Sequence, residues 1–161
     1  MDRNRYCSEK LIMPDPEGGK CLTEESPSVQ SHLGILQGVI ERMAVNSTST
    51  KSWCITIVSA ILVVIADKNK PEYAFLALIP TILFWALDVY YLAMEKGFRN
   101  SYNDFVKKVH AGTLTPDDLY LVHSLGKTSQ LQREALKSFS VWVFYSGLVI
   151  LIILAKYFVL A

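Results

Sequence analysis

The sequence predicts an all-α integral membrane protein with three transmembrane helices and a small cytoplasmic helical region. Of its 161 residues, 51% are hydrophobic, and these gather in clusters that are separated by charged segments. Two clusters, 73–94 and 139–160, have the length of about 20 residues that a helix needs to cross a bilayer. No stretch shows the alternation of apolar and polar residues that is typical of a strand. These observations favour membrane helices over a soluble domain.

The three spans differ in how clearly they are marked. The first apolar run, 52–66, is short, but extended back through the uncharged NSTST segment it gives a span at about 47–66, with Lys51 reaching to the interface. The second span, 73–94, contains one charged residue, Asp88, and a proline, Pro80, that is expected to bend it. The third span, 139–161, is interrupted by Lys156 near its end, which is also expected to reach the interface.

The basic residues predict the topology. Residues 1–51 carry six lysines and arginines and residues 95–138 carry seven, whereas the loop 67–70 carries two. With three spans, the two basic regions lie on the same side of the membrane. The positive-inside rule places that side, and the N-terminus, in the cytoplasm, and the C-terminus outside.

The segments outside the spans predict a further organisation. Residues 1–27 are rich in turn-forming residues and are expected to be a flexible arm. Residues 28–94 combine an amphipathic helix, capped by Ser28 or Ser31, with the transmembrane hairpin. In 95–138 the second helix is expected to continue to Gly112, a short helix to run from Thr115 to Gly126, and a last helix to run from Thr128 into the third span.

Asp88 is the residue with the strongest functional signal, because a carboxylate at membrane depth is costly and marks a functional site by default. Two interpretations remain open. The acid is either structural, bonded by serine or threonine hydroxyls or by Tyr91, or it belongs to a ring of carboxylates that attracts cations in a homo-oligomer. The candidate pore or polar-layer residues are Asp88, Thr81, Thr56, Ser59, Ser146, Tyr91 and Glu95. The candidate gate residues, which would dewet a closed path, are Phe84 and Leu87.

The cytoplasmic segment contains a basic cluster that either balances anionic lipid headgroups or binds the phosphates of a nucleotide or oligonucleotide. Its members are Lys96, Arg99, Lys107, Lys108 and His110. The three histidines and three cysteines fit no metal motif, and no nucleotide-binding or hydrolase motif is present. Neither an enzymatic activity nor a cofactor is therefore predicted.

Two blocks of the sequence carry a family resemblance. They are VIERMAVNSTSTKSWCITIVSAI (39–61) and PTILFWALDVYYLAMEKGFRNSY (80–102), and the second contains the pattern FWxLDxYYLxxExxFRxxY with Asp88 as its aspartate. The chain resembles small bacterial transmembrane proteins of antiphage defence operons, in particular the Hailong-type membrane effectors. The resemblance implies a tetrameric channel of the bacterial inner membrane that depolarises the cell. It also implies gating on the cytoplasmic part by a nucleotide or oligonucleotide, the product of an operon-encoded nucleotidyltransferase.

A second function stays open beside the channel. The spans would then be a non-conducting anchor or adaptor that holds a cytoplasmic partner protein at the membrane, and Asp88 would only stabilise helix packing.

Overall fold

The computed structural model describes residues 22–68 and 71–159. Most of the arm predicted for 1–27 therefore lies outside the described residues. The described part of the chain is helical and contains no strand. The all-α prediction is confirmed for this part of the protein.

The first helix, α1 (Pro27–Asp67), is one continuous helix of 41 residues that carries both the amphipathic segment and the first predicted span. Ser26 precedes it with an extended backbone, and Pro27 occupies the first helical position, where its missing N–H costs no hydrogen bond. The helix thus begins before Ser28 and Ser31, so the prediction that either serine caps it is wrong. Hydroxyl groups in the NSTST region bond back to carbonyls four residues earlier, as Thr50 does to Asn46 at 2.8 Å, which satisfies them inside the helix.

The second helix, α2 (Leu78–Ala111), follows a 3₁₀ turn at Pro71–Ala77. Pro80 lies in the first turn of α2, where backbone N–H groups have no intrahelical partner, so the helix loses no bond there and runs on to Ala111. The bend predicted at Pro80 stays a prediction. The helix stops at Gly112, whose φ of 66° is left-handed, and the N–H of Thr113 bonds the Lys108 carbonyl at 3.1 Å. The prediction that Gly112 ends this helix is confirmed.

The connection 113–127, which we call the strap, differs from its prediction. Thr115 and Asp118 form a capping box, but only a 3₁₀ turn, Pro116–Asp118, follows it, and the helix predicted up to Gly126 is absent. Leu119 is extended and Tyr120 has a φ of 64°, so the helix cannot propagate. Beyond this turn, the strap bonds to α1 through Tyr120 and to α2 through Leu125.

The last two helices are α3 (Thr128–Leu136) and α4 (Phe139–Leu154), which continues into a π-helical turn at Ala155–Val159. The start at Thr128 is as predicted, but the predicted continuous helix into the third span is interrupted at Lys137 and Ser138. Ser138 has an extended backbone, and its carbonyl accepts from the N–H of Val141 and Trp142, which begins a new helix.

The helices α1 and α2 pack side by side in an antiparallel hairpin, and α4 packs beside them. The described chain contains three helical segments that are long and apolar enough to cross a membrane: Pro27–Asp67, Glu72–Ala111 and Phe139–Tyr157. One core lies between the spans and includes Cys54, Val58, Val89, Ala93, Tyr145 and Leu148. A second, smaller core of Val29, Leu36 and Phe105 lies between α1, α2 and the strap, beyond the predicted spans.

Candidate functional site

The carboxylate of Asp88 is fully buried and belongs to an ion pair within its own chain. The Nζ atom of Lys51 on α1 lies 2.8 Å from Oδ1 and 2.7 Å from Oδ2 of Asp88. The Ser47 hydroxyl donates to the same Oδ1 atom and accepts a bond of 3.0 Å from the Lys51 ammonium. The three side chains therefore form a closed triangle that joins the first two spans.

The geometry follows from helical spacing. Ser47 and Lys51 are four residues apart and so lie on the same face of α1, which faces α2. The Lys51 side chain is 17% exposed, whereas that of Asp88 is 0% exposed. The ammonium is thus held between the helices by Asp88, whereas the sequence predicted that it would point away from the span toward the interface.

The charges of Lys51 and Asp88 cancel, so the site as a whole has no net charge. Both donors bond Oδ1, and Oδ2 has no aligned hydrogen bond although it touches the ammonium, so its contact with Lys51 is ionic. A buried pair of this kind recovers its desolvation cost only with close geometry, and removing one member leaves an uncompensated charge. The site is therefore sensitive to the loss of either charge.

The helix α4 closes the site from the other side. The Tyr145 hydroxyl donates to the Phe84 carbonyl at 3.0 Å and interacts electrostatically with Asp88. Thr81 is buried about one helical turn before Phe84 on α2. Its hydroxyl donates to the Ala77 carbonyl at 2.8 Å. Asp88 is therefore enclosed by side chains from α1, α2 and α4.

Several residues predicted for a polar layer lie elsewhere. Thr56, Ser59 and Ser146 are exposed, and the Thr56 and Ser146 hydroxyls bond carbonyls of their own helices, so the single chain does not bring these residues to Asp88. Tyr91 is half-buried and its ring contacts Tyr90, with centroids 5.6 Å apart. Glu95 is buried and pairs with Arg99 at 2.7 Å.

The two predicted gate residues do not face a common space in the single chain. Phe84 is half-buried and packs against the core between the spans. Leu87 is 39% exposed on the outer surface of α2. A gate that uses both residues would require a second copy of the chain.

Lys51 and Ser47 are the site residues that sequence reasoning missed. A signal was present, since Lys51 and Asp88 both lie close to the cytoplasmic ends of their predicted spans and therefore at similar depth. Comparing the depth of charges between neighbouring antiparallel spans would have paired them. The prediction treated each span separately.

The predicted basic cluster is spread along α2 and is largely occupied by partners. Four members contact an acidic side chain or a carbonyl: Lys96 bonds the Glu134 carbonyl at 3.1 Å, Arg99 pairs with Glu95 at 2.7 Å, Lys108 pairs with Asp118 at 2.9 Å, and His110 lies 3.3 Å from Glu24. The fifth, Lys107, is exposed and lines an open cleft of about 320 Å³ with Asn100, Asn103, Asp104, Leu125 and Gly126.

The pair between Lys108 and Asp118 links α2 to the strap. The hydrogen bonds from Lys108 and from Thr115 lower the pKa of Asp118 to about 2, and the bond to Asp118 raises the pKa of Lys108. Asp118 therefore stays ionised at any physiological pH. It is a fixed negative charge beside the second core.

Neither a metal site nor a relative adds a further assignment. Among the described residues, no group of three or more histidine, cysteine, aspartate or glutamate side chains is placed to hold a metal ion. Comparisons with models of protein families, with curated proteins and with solved structures found no match. The resemblance to antiphage membrane effectors therefore stays a prediction.

Proposed function

We propose that the protein is a homo-oligomeric ion channel of the bacterial inner membrane and the effector of an antiphage defence system, depolarising the membrane when activated. The observation that carries this proposal is the buried ion pair between Lys51 and Asp88 inside two helices that are apolar enough to span a bilayer. The family resemblance supplies the defence context and a tetramer as the assembly. The N-terminus is cytoplasmic and the C-terminus is periplasmic or extracellular in this proposal.

An ion pair at this position is costly, which is why it favours a functional role. Replacing a buried pair by apolar residues of similar volume is often neutral or stabilising, so packing alone does not require two charges here. Ionisable residues within spans commonly mark ion pathways. Asp88 lies about 9 Å inside the cytoplasmic end of its predicted span, at 1.5 Å per residue. In the closed channel Lys51 neutralises the carboxylate, and opening separates the two side chains.

Assembly from several copies is supported by the exposed face of α1. Ser52, Thr56 and Ser59 are exposed at membrane depth in the single chain. Small hydroxyl residues are enriched where membrane helices approach one another closely. A second copy would cover this face and bring its polar side chains to a shared interface.

Regulation belongs to the cytoplasmic part in this proposal. The exposed Lys107 in its cleft supplies positive charge for a nucleotide or oligonucleotide made by a partner nucleotidyltransferase. Such a ligand changes the open fraction only if it binds the open and closed states with different affinities.

A second function is favoured by one observation, the complete enclosure of Asp88 within its own chain. If the pair never opens, the spans are a non-conducting anchor or adaptor for a cytoplasmic partner protein. Asp88 and Lys51 then serve only to fix α1 against α2.

Ion currents through the purified protein in planar bilayers separate the two functions. The wild-type chain is measured across a KCl gradient, with and without a mixture of short oligonucleotides, beside Asp88→Asn, Lys51→Met and the control Lys68→Met in the exposed loop. If the protein is a channel, its reversal potential is expected to shift toward the value for anion selectivity in Asp88→Asn. In Lys51→Met it is expected to shift toward the value for cation selectivity. If bilayers that contain the wild-type protein conduct no better than empty bilayers, with and without the oligonucleotides, the channel is rejected and the anchor function is favoured.

A further inference from the structure

The strap is fastened to the helical hairpin at three points. Two of these points are on α2: Lys108 bonds Asp118 at 2.9 Å, and the N–H of Leu125, near the end of the strap, bonds the Gly97 carbonyl at 3.0 Å. Between these points the Tyr120 N–H donates to Nδ1 of His32 on α1 at 2.9 Å. This last bond ties the strap to α1.

His32 is placed to accept that bond in one protonation state only. Its side chain is 2% exposed, and its ring lies 4.2 Å from the ring of Phe105, centroid to centroid. Because Nδ1 accepts a hydrogen bond from a backbone N–H, the ring is neutral with its proton on Nε2. Protonated histidine is a donor at both nitrogens and would present an N–H group to the N–H of Tyr120.

Tyr120 holds a conformation that depends on outside support. Its φ of 64° is left-handed, a region that side-chain-bearing residues rarely adopt. The tyrosine side chain is 57% exposed, so burial supplies little compensation for the backbone. Such conformations persist where surrounding contacts over-determine them, and the bond to His32 is one of those contacts.

We infer that His32 is a proton-sensitive latch that keeps the strap docked while its imidazole is neutral and releases the strap when the imidazole takes up a proton. The latch consists of His32 Nδ1, the Tyr120 N–H and the aromatic contact with Phe105. It does not require that the protein conduct ions, so its test and the test of the channel can fail separately.

The direction of the pH dependence follows from the surroundings of His32. Burial lowers the pKa of the imidazole below its ordinary value of 6.5, and the nearby Asp118 carboxylate opposes this by raising it. A released strap exposes His32 to water and returns it toward 6.5. Docking is therefore at full strength above pH 6.5 and weakens as the pH falls from there toward the lowered value.

Neighbouring charged groups do not reproduce this response. Asp118, whose pKa is about 2, remains ionised throughout this range and stays paired with Lys108. Asp104 on α2 lies 3.8 Å from the same lysine, and Asp117 is exposed on the strap. The remaining histidines are His110, which faces Glu24, and the exposed His123.

Release of the strap would reach the membrane end of the hairpin. Gly97, which holds the Leu125 end, lies three residues beyond Met94, the last residue of the second predicted span. A fall in cytoplasmic pH would thus loosen a segment that borders the cytoplasmic end of that span. This is a regulatory input separate from ligand binding.

Hydrogen exchange of the full chain in lipid nanodiscs tests the latch. Protection factors for the amides of Tyr120 and Leu125, which bond His32 and Gly97, are corrected for intrinsic exchange and compared between pH 7.5 and pH 5.5. Wild-type protection is expected to fall by up to about tenfold per pH unit below pH 6.5, the limit for one proton. His32→Asn places an amide oxygen near the position of Nδ1, so its protection is expected to be independent of pH. The matched control His123→Asn is expected to titrate as the wild type does.

Two results would overturn the latch: wild-type protection that does not change with pH, or a pH response that persists in His32→Asn. If His32→Asn does not fold, His32→Gln takes its place, because glutamine also has an amide oxygen and has no group that titrates in this range. A pH response that persists in His32→Gln would then reject the proposal.

Discussion

Removing the charge of Lys51 is expected to destabilise the protein more than any other single change at the site. Lys51→Met preserves most of the aliphatic stem and leaves Asp88, which is 0% exposed, with the Ser47 hydroxyl as its remaining bond from α1. Breaking a buried ion pair by removing one partner costs about 3–5 kcal/mol. Ser47→Ala removes a single hydrogen bond and is expected to cost about 0.6 kcal/mol, the average for such bonds between membrane helices.

The opposite single change is expected to cost less, because the two partners differ in exposure. In Asp88→Leu the lysine, already 17% exposed, extends along its stem toward the interface, and the loss is about 1.5–3 kcal/mol. The double variant, Lys51→Met with Asp88→Leu, contains no unpaired charge and is expected to match the wild type or exceed its stability. The coupling between the two positions is thus at least about 4.5 kcal/mol, the sum of the smaller estimates for the two single losses, or more than a thousandfold in the unfolding equilibrium constant.

Reversible unfolding in mixed micelles, followed by tryptophan fluorescence, measures all four corners of this cycle. Lys68→Met is the matched control, since Lys68 is exposed and lies 3.7 Å from the exposed Asp67, and its loss should cost less than about 1 kcal/mol. If the two single effects simply add in the double variant, Lys51 and Asp88 do not interact as the structure shows, and the reasoning is refuted.

Four further changes test the fold outside the ion pair. Gly97→Ala would place a Cβ atom 2.8 Å from the Ser124 Cβ, so thermal unfolding should show a loss of about 1–3 kcal/mol, whereas Gly34→Ala, with open space, should stabilise by about 0.5–1 kcal/mol. Gly112→Ala must adopt the φ of 66° at the end of α2 and should cost about 1 kcal/mol in the same assay. Asp118→Asn removes the Lys108 pair and the capping box. Since the pKa of Asp118 is lowered from 3.8 to about 2, its own contribution to strap protection should be complete above pH 3.8 and lost toward pH 2, in addition to the loss below pH 6.5 that is expected from His32. The asparagine variant should lack the loss between pH 3.8 and pH 2.

The three long helices and two of their boundaries could be predicted from sequence because they depend on local patterns. Apolar runs of span length identify the three long helices, and the left-handed preference of glycine identifies the end of α2 at Gly112. Thr128 was recognisable as a helix start for a similar local reason. In each case the deciding residues are close together in the chain.

The strap and the ion pair could not be predicted in the same way. Thr115 and Pro116 are good helix-starting residues, but the backbone after Asp118 finds partners in His32 and Gly97, which are distant in sequence. Ser28 and Ser31 are residues that commonly cap helices, but the helix already begins at Pro27, so both lie inside it. Asp88 was recognised as unusual, yet its partner was not, because Lys51 was interpreted as an interface residue of a separate span.

The pairing of Asp88 changes what an oligomer could select for. Four bare carboxylates would form a ring of negative charge, but each carboxylate carries its own ammonium, so an assembly of closed subunits presents no net charge at this depth. A cation preference would have to arise from moving Lys51 away from Asp88, which requires α1 to shift along or rotate against α2.

The same two helices are also joined by Gln37 and Tyr102 at 3.3 Å and by the ring contact of His32 with Phe105. Polar and aromatic contacts thus extend along this helix interface from the strap to the spans, so a shift that separates the ion pair also strains the contact that holds the strap. Proton uptake at His32 and opening of the pair would in that case favour the same displacement of α1, since each removes a contact that opposes it.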